Sequence, residues 1–519
     1  MKPQIVVNEN LFSSSYEQYI AIVDQLSTPA CAEKSHSDIE LLIQIEGREL
    51  LRRLLQESLD QRGNGEVGPC VEGADGHIRT HRRKNQVRTY HSNFGKVKLT
   101  RTGYGQRGVN QLFPLDEQLN LSNNRYSHLL KKRVASQVGY RSYEGVQQQV
   151  KTDTGVGIGK RQLEAITQQA SEDMTSFYQQ PLAQAEQEAI KDKPIQVLTF
   201  DGKGIVVREE ALREATRLKA QKKSTTDAPG EKKSAHRKRM AAVSAIYSID
   251  RNIRDPDVVS KQFAPIKAVA EKTKAIIKPV AKKVWASLEA SMETVIKQRF
   301  IEAKIRDPAL EKDWVVLVDG DPNQIDYAEQ QAKSQGVVIC LILDIMHVLE
   351  YLWKAVKVFF PDEDGSIQRH GWVAEKIKQI LHGNVMTVVA DIRQLADEKG
   401  LSEKAREPAD ICANYLEKYA SYLKYDEYLK KGYPIATGII EGACRHLVKD
   451  RMDITGARWS LAGAEAMLKV RALCINGDFE RYWAYHEAQE YQRNYQSLYA
   501  KIQRPSKPEL KVISGGKSS

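Results

Sequence analysis

Tyr433–Leu473 reads YPIATGIIEGACRHLVKDRMDITGARWSLAGAEAMLKVRAL, and the rest of the chain is organised around it. Pro434 cannot sit inside a helix, and Thr437 can cap orphan N–H groups, so the pattern predicts a helix that starts near Thr437. Glu441 then falls in the first helical turn. Arg445 and Lys449 follow at four-residue steps and share its face. Two readings fit. Either this is a solvated helix with an i,i+4 Glu–Arg pair, or it sets one metal-binding carboxylate beside a phosphate backbone. The choice rests on the other carboxylates of the chain.

With 519 residues the chain is long enough for several domains and a large buried core. Its formal charge is +11. A balance that basic points to an acidic partner, nucleic acid first. The start, MKPQIVVNENLFSSSYEQY, has no long apolar segment, so no signal peptide is expected. The most apolar run, Val337 to Leu343, ends in Asp344 and is too short to span a bilayer. The six cysteines, at 31, 70, 340, 412, 444 and 474, are scattered without a CxxC pair. That spacing argues against a zinc site or a disulfide framework, and predicts buried free thiols.

Residues 1–64 read as helical, with apolar steps of three and four closed by Gly63-Asn64-Gly65. Residues 65–125 are a basic hairpin region and connector, with short strands at Val87–Tyr90 and Val97–Thr102 around Asn93-Phe94-Gly95. The basic hairpin either lies along a phosphate backbone or is simply solvated. In residues 126–190, two helical patterns flank Gly155-Val156-Gly157-Ile158-Gly159, and Lys160-Arg161 opens the second. This is the pattern of a helix-turn-helix, whose second helix would enter the major groove, although such pairs also occur without DNA.

From 191 to 480 the pattern becomes mixed α/β. Pro194–Phe200 is a buried strand that ends in Asp201-Gly202. Residues 209–240 form a Lys/Arg-rich excursion that includes Arg237, Lys238 and Arg239, read as a mobile segment that contacts the DNA backbone. Ala241–Ile249 is the returning strand, and Ile276–Ile305 is read as one long amphipathic helix. Trp314–Val318 is a buried strand that ends in Asp319-Gly320, and Gly336–Leu343 is another that ends in Asp344. Asp321 is placed to cap the helix after Pro322. Residues 348–432 are helical throughout, an insertion before the Glu441 helix. Residues 481–519 are a C-terminal helix and tail.

Three buried strands thus end in aspartate, and a later helix offers Glu441. Strand-terminal residues of a parallel sheet line the crevice at its carboxyl end, where open α/β folds bind ligands. Clustered carboxylates repel one another unless a divalent cation neutralises them, and hard oxygen ligands select Mg²⁺ or Mn²⁺. Such ions serve phosphoryl transfer by activating a nucleophile and stabilising a leaving oxygen.

VLTFDGKG at Asp201, WVVLVDGDPNQ at Asp319, LDIMHVLEYLW at Asp344 and above all PIATGIIEGACRHLVKDRMDITGARWSL at Glu441 resemble the motifs of DDE (RNase H-like) transposases of bacterial insertion sequences, the ISKra group in particular. The resemblance extends over most of the chain. It implies an RNase H-like sheet with a helical insertion before the catalytic Glu, bound Mg²⁺ or Mn²⁺, and cleavage and strand transfer of element-end DNA. It also implies a bacterial, cytoplasmic, nucleoid-associated protein that binds double-stranded end and target DNA as a dimer or higher oligomer. An RNase H-like sheet has the strand order 3-2-1-4-5. That order makes the Asp201 and Asp319 strands neighbours and puts the Asp344 strand one further out. The implied catalytic and metal-binding set is therefore Asp201, Asp319 and Glu441, with Asp344 as the other choice for second ligand. Asp344 with His347 otherwise orients the site or caps a helix. Arg445, Lys449 and Arg451 are candidates to hold phosphates. Arg458 and Trp459 either clamp DNA, or Trp459 anchors the core. The chain departs from related transposases at Tyr104-Gly-Gln-Arg107, where they often carry a Cys-pair ribbon, which puts any zinc role there in doubt. Two other functions share these motifs: a nuclease or resolvase that cuts without rejoining, and a non-catalytic transposase-derived DNA-binding protein.

Overall fold

The computed structural model describes residues 11–218, 238–263, 277–361 and 366–499. It divides into two units, residues 1–173 with 480–519, and residues 174–479. The chain is mixed α/β.

In the first unit, α1 (Ser13–Leu26) and α2 (His36–Asp60) pack as an antiparallel pair. Ser35 starts α2 through a capping box with Asp38. Strands β1 (His81–Ser92) and β2 (Gly95–Gln106) form a long hairpin, and β3 (Val109–Leu112) adds a third strand to it. The hairpin is much longer than its apolar residues suggest, because the first five residues of β1 are exposed and carry no apolar alternation to read.

Its basic residues divide by role. Arg79 is fully buried and paired with Asp75 at 2.6 Å. Arg88 and Arg101 both pair with buried Asp116. Arg82 and Lys84 share Glu66. These five hold the region together, which leaves His81, Arg83, Lys96, Lys98 and Arg107 as the side chains turned to solvent or half-exposed without such a role. Helices α3 (His128–Val138), α4 (Tyr143–Thr154) and α5 (Lys160–Gln169) then pack on one another. The C-terminal stretch belongs to this unit. Buried Lys131 of α3 bonds both oxygens of Glu490 at 2.7 and 2.8 Å, and fully buried His486 bonds Asp173 at 2.6 Å.

The second unit is built on a five-stranded sheet. In chain order its strands are β4 (Ile195–Val206), β5 (Lys238–Ile249), β6 (Val280–Ser287), β7 (Asp313–Val318) and β8 (Ile339–Leu343), and in space they run β6-β5-β4-β7-β8. The pairs β4–β5 and β5–β6 are antiparallel, and β4–β7 and β7–β8 are parallel. Between β6 and β7 lies α6 (Met292–Arg306), and between β7 and β8 lies α7 (Pro322–Gln335), capped by Asp321. After β8 come α8 (Ile345–Phe359), α9 (Ser366–Leu381), α10 (Val385–Glu398), α11 (Glu403–Lys418) and α12 (Tyr425–Lys431), which share one apolar core with the sheet. Then follow α13 (Gly438–Ala443) and α14 (Leu461–Ile475).

Two expectations are corrected here. The single helix read over 276–305 is a strand followed by a helix. Val280–Ser287 pairs along β5, and sheet pairing with burial of Val284, Trp285 and Ala286 overrides a sequence whose lysines fit a helical face equally well. The basic excursion also does not run unstructured through 209–240. Lys238 and Arg239 already pair in β5, and Arg239 donates to the carbonyls of Leu288 and Ala211. A guanidinium held by two backbone oxygens is a structural clamp rather than a free phosphate ligand. Arg237 lies outside the described residues.

Candidate active site

Strand β4 is buried from Ile195 to Phe200, as befits the central strand of a covered sheet. Its parallel ladder with β7 ends at Thr199–Leu317. Two residues on, the same register brings Asp201 level with Asp319. Equal parity puts both side chains on one face, on strands about 4.8 Å apart. Asp201 is still within β4, paired with Val243 of β5, whereas Asp319 is the first residue past β7.

Electrostatics agree with this placement. Burial pushes the Asp319 carboxyl above its ordinary range, and the negative charge of Asp201 adds to the shift. The Asp321 N–H, 3.0 Å from Asp319 Oδ1, and the nearby His347 oppose it. Among the described residues neither aspartate forms an ion pair.

Glu441 stands on α13, which packs on β4, β5 and β6. The helix does begin after Thr437, but not by the expected cap. The Thr437 hydroxyl and N–H both donate to Asp344, a fully buried carboxylate that also accepts from Met346 N–H and so caps α8. Asp344 therefore joins two helix starts from beneath the site. After Ala443 the helix passes into a π-turn, Cys444–Lys449. Such turns cluster at functional positions. Arg471 donates to the carbonyls of His446 and Leu447 within it. Ile440, Ala443, Cys444, Leu447 and Val448 face inward, and Glu441, Arg445 and Lys449 are exposed together.

Several partners of the site carry no sequence signal of their own. Cys444 Sγ donates to Asp201 Oδ2 at 3.1 Å, while Gly202 N–H donates to Oδ1 at 2.6 Å. Both carboxylate oxygens are thus held. The charges of Lys203 and Glu441 are also felt at Cys444. Tyr415 and Tyr419 on and after α11 donate to the carbonyls of Asp319 and Gly320 at 3.2 and 2.9 Å, and Tyr425 donates to Leu343. The tyrosines of YLEKYASYLKYDEYL are the one trace of this in the sequence, since their three- and four-residue spacing sets them along one side of a helical segment.

The remaining candidates divide. Arg458 is exposed. Trp459 is 6% exposed, with its Nε1–H bonded to Met452 O and its backbone paired with Val207 and Arg208 at the end of β4. It is the core anchor rather than a stacking platform. Arg451 is 2% exposed and lies over the Trp459 ring at 5.0 Å, so the expectation that it holds phosphate is corrected: the guanidinium is buried against the indole. His347 is half-exposed beside Glu350. In the first unit Lys160 and Arg161 are exposed at the start of α5, with Lys160 3.4 Å from Glu144, while Leu163, Ile166 and Thr167 face inward. Val156 and Ile158 of the glycine turn are buried and fix the α4–α5 angle.

The donor set of Asp201 and Asp319 fits a hard divalent cation, being two level carboxylates that repel one another without a basic side chain paired to either. Among the described residues no three His, Cys, Asp or Glu side chains converge on one point. All six cysteines are free thiols; Cys31, Cys412 and Cys444 are buried, whereas Cys340 and Cys474 are only partly buried and Cys70 is exposed, against the expectation for those three. No described helix is long and apolar enough to cross a membrane. No protein-family model matches the chain, and no curated protein matches it significantly.

Proposed function

We propose that the chain is a DDE transposase with an RNase H-like catalytic domain, which cuts and rejoins the DNA ends of a mobile element in a divalent-metal-dependent reaction. The observation that carries this reading is the level placement of Asp201 and Asp319 on the central pair of a sheet ordered 3-2-1-4-5, with the helix of Glu441 packed over it. Asp201 and Asp319 would hold Mg²⁺ or Mn²⁺, and Glu441, exposed on α13 and not converged with them, would be the third carboxylate only on turning toward the pair. A divalent cation held by these carboxylates would supply activation of a water or 3′-hydroxyl and neutralisation of phosphate charge. The protein's own part is positioning. Gly202 N–H and Cys444 fix Asp201, the two tyrosines fix the Asp319-Gly320 backbone, and Asp344 fixes the start of α13. Arg445, Lys449 and Arg458, exposed on the same stretch, are the groups that would meet phosphates.

Double-stranded DNA is the proposed substrate and the bacterial nucleoid the proposed place of action. In the first unit, Lys160 and Arg161 on α5 are the proposed major-groove contacts. The test is incubation of the purified chain with DNA carrying the flanks of its coding region and Mg²⁺. A cut at the element end followed by joining to a second duplex is expected. Cutting without joining supports a resolvase-like nuclease, and end binding without cutting supports a non-catalytic DNA-binding protein.

A further inference from the structure

Strand β4 outruns its parallel neighbour. The ladder with β7 ends at Thr199–Leu317, whereas pairing with β5 continues to Val206. Alternation fixes which backbone groups face the edge left uncovered. Pro194 O accepts from Asp313 N–H at the start of β7, and Val206 O lies 3.4 Å from Trp459 N. Even-numbered residues of β4 therefore turn their N–H and C=O away from β5. Gly202 and Gly204 are two of them, and among the described residues no strand lies beside either on that edge. Gly202 N–H is closed onto Asp201 Oδ1, while Gly204 N–H meets no acceptor there among the described residues.

The same alternation places the side chains. Asp201, Lys203 and Ile205 share the face on which the π-turn of Cys444 packs. Ile205 is buried, whereas Lys203 is half-buried and forms no ion pair among the described residues. Its charge is felt at Cys444 ahead of that of Glu441, so the ammonium belongs to the carboxylate site. A lysine beside Asp201 and Glu441 that bonds neither is available to another anion.

Resting on the reading of Asp201 and Asp319 as the place of cutting, we propose that Lys203 and Gly204 N–H hold the DNA phosphate next to the one that is cut. Two residues along a strand span about 7 Å. A cation on the carboxylates takes the scissile phosphate, and the ammonium two residues on reaches its neighbour. Glycines at 202 and 204 let a sugar–phosphate chain come close to the strand edge. A basic side chain with a backbone N–H is a common phosphate contact. Exposed Arg458 stands at the far end of the bare edge, where Trp459 pairs with Val207. A phosphate that does not react is held equally in the ground and transition states, so Lys203 contributes to affinity and not to the rate at saturating DNA.

The experiment measures binding of the full chain, Lys203→Met and Lys203→Arg to a duplex carrying the flank of the coding region. Salt is varied and divalent cation left out, so that binding is read without cutting. Lys203→Met is expected to bind about 10-fold more weakly at low salt. Its slope of log affinity against log salt should fall by about 0.9, the share of one phosphate. Lys203→Arg should keep the parent's slope, and all three proteins should melt alike. With Mg²⁺ and saturating DNA, Lys203→Met should cut at nearly the parent's rate. An unchanged salt slope in Lys203→Met overturns the proposal, even if the parent cuts. So does a slower rate at saturating DNA with the slope intact, because Lys203 would then act on the carboxylates. A parent that never cuts, yet loses salt slope in Lys203→Met, upholds the phosphate contact and removes the catalytic reading instead.

Discussion

Asp344 and Thr437 are bonded twice, through the hydroxyl and the N–H of Thr437, at the bottom of the candidate site. The pair ties the end of β8 to the start of the helix that carries Glu441. Strand order makes β8 an edge strand, so Asp344 acts on the site through α13 rather than from within the carboxylate pair.

Removing the hydroxyl strands a buried carboxylate with fewer donors. Thr437→Val is expected to cost about 1–3 kcal/mol in urea denaturation, the range for a buried charged group that loses a partner. Asp344→Asn keeps an acceptor for Met346 N–H and should cost less, fold, and retain measurable DNA cleavage. An unchanged denaturation midpoint for Thr437→Val would remove this bond from the account of how Glu441 is held.

Asp319 has a folded-state pKa raised by burial and by the neighbouring charge of Asp201. A raised carboxyl pKa contributes stability that is full below the unfolded value, near 3.8, and is lost as pH rises through the folded value. At pH 7 the ionised group therefore opposes folding. Asp319→Asn should melt about 1–3 °C higher than the parent at neutral pH without metal, and that gain should shrink toward pH 4. Added Mg²⁺ should raise the parent's melting temperature and leave the variant's nearly unchanged. Equal responses to Mg²⁺ in both proteins would show that the cation sits elsewhere.

The strands before Asp319 and Asp344 were legible because a covered parallel strand is a continuous apolar run with a sharp polar end, whereas the strand of Asp201 was read only to Phe200 and in fact runs on to Val206, because Asp201–Gly204 carry no apolar side chain to mark it. The helical insertion was legible by period alone, and α11 tolerates Pro408 within it. The strand at Val280–Ser287 was not legible, since its identity depends on pairing with β5 and its lysines fit two periods. Within the site, residue type showed which groups can do chemistry but not what holds them. Cys444 reads as one more small apolar residue until the fold sets it 3.1 Å from Asp201, Arg451 reads as a phosphate contact until burial turns it inward, and burial decides between the two readings of Trp459.

Arg445 and Lys449 are exposed beside Glu441. If each neutralises one phosphate, the double change to alanine should reduce the slope of log affinity against log salt by about 1.8. Binding to unrelated duplexes should fall to the same degree. Arg451→Ala should act differently, lowering stability through lost packing on Trp459 while leaving the salt slope alone. A salt slope altered by Arg451→Ala and not by the double variant would reverse these assignments.

Burial, with the charge of Asp201 next, raises the Cys444 thiol pKa, so the group stays protonated at neutral pH and donates to Asp201 Oδ2. Cys444→Ala frees that oxygen to rotate. The Mg²⁺ concentration for half-maximal cleavage should rise about 3- to 10-fold, equivalent to one net hydrogen bond of about 1 kcal/mol, and Cys444→Ser should recover most of the loss because it still donates. A merely structural role would lower the melting temperature of both variants without moving the metal dependence.

The last test addresses the carboxylates themselves. Asp201→Asn, Asp319→Asn and Glu441→Gln keep shape and remove charge, so each should lose most of its cleavage rate, on the order of 10³-fold or more if the cation is lost with it. End binding should survive in all three, because removing a negative charge beside a phosphate relieves repulsion. The variants should also differ from one another. Asp201 has both oxygens engaged by Gly202 and Cys444, and an asparagine there must turn its amide NH₂ toward one of two donors, so Asp201→Asn should also perturb the fold around Cys444. Glu441 is exposed and forms no ion pair among the described residues, so Glu441→Gln should melt like the parent. Cleavage, end binding and melting measured together on the same preparations separate these effects. A Glu441→Gln protein that cleaves normally while the two aspartate variants are dead would leave a two-carboxylate site and remove the third member of the set. Normal cleavage by all three would end the metal-dependent reading.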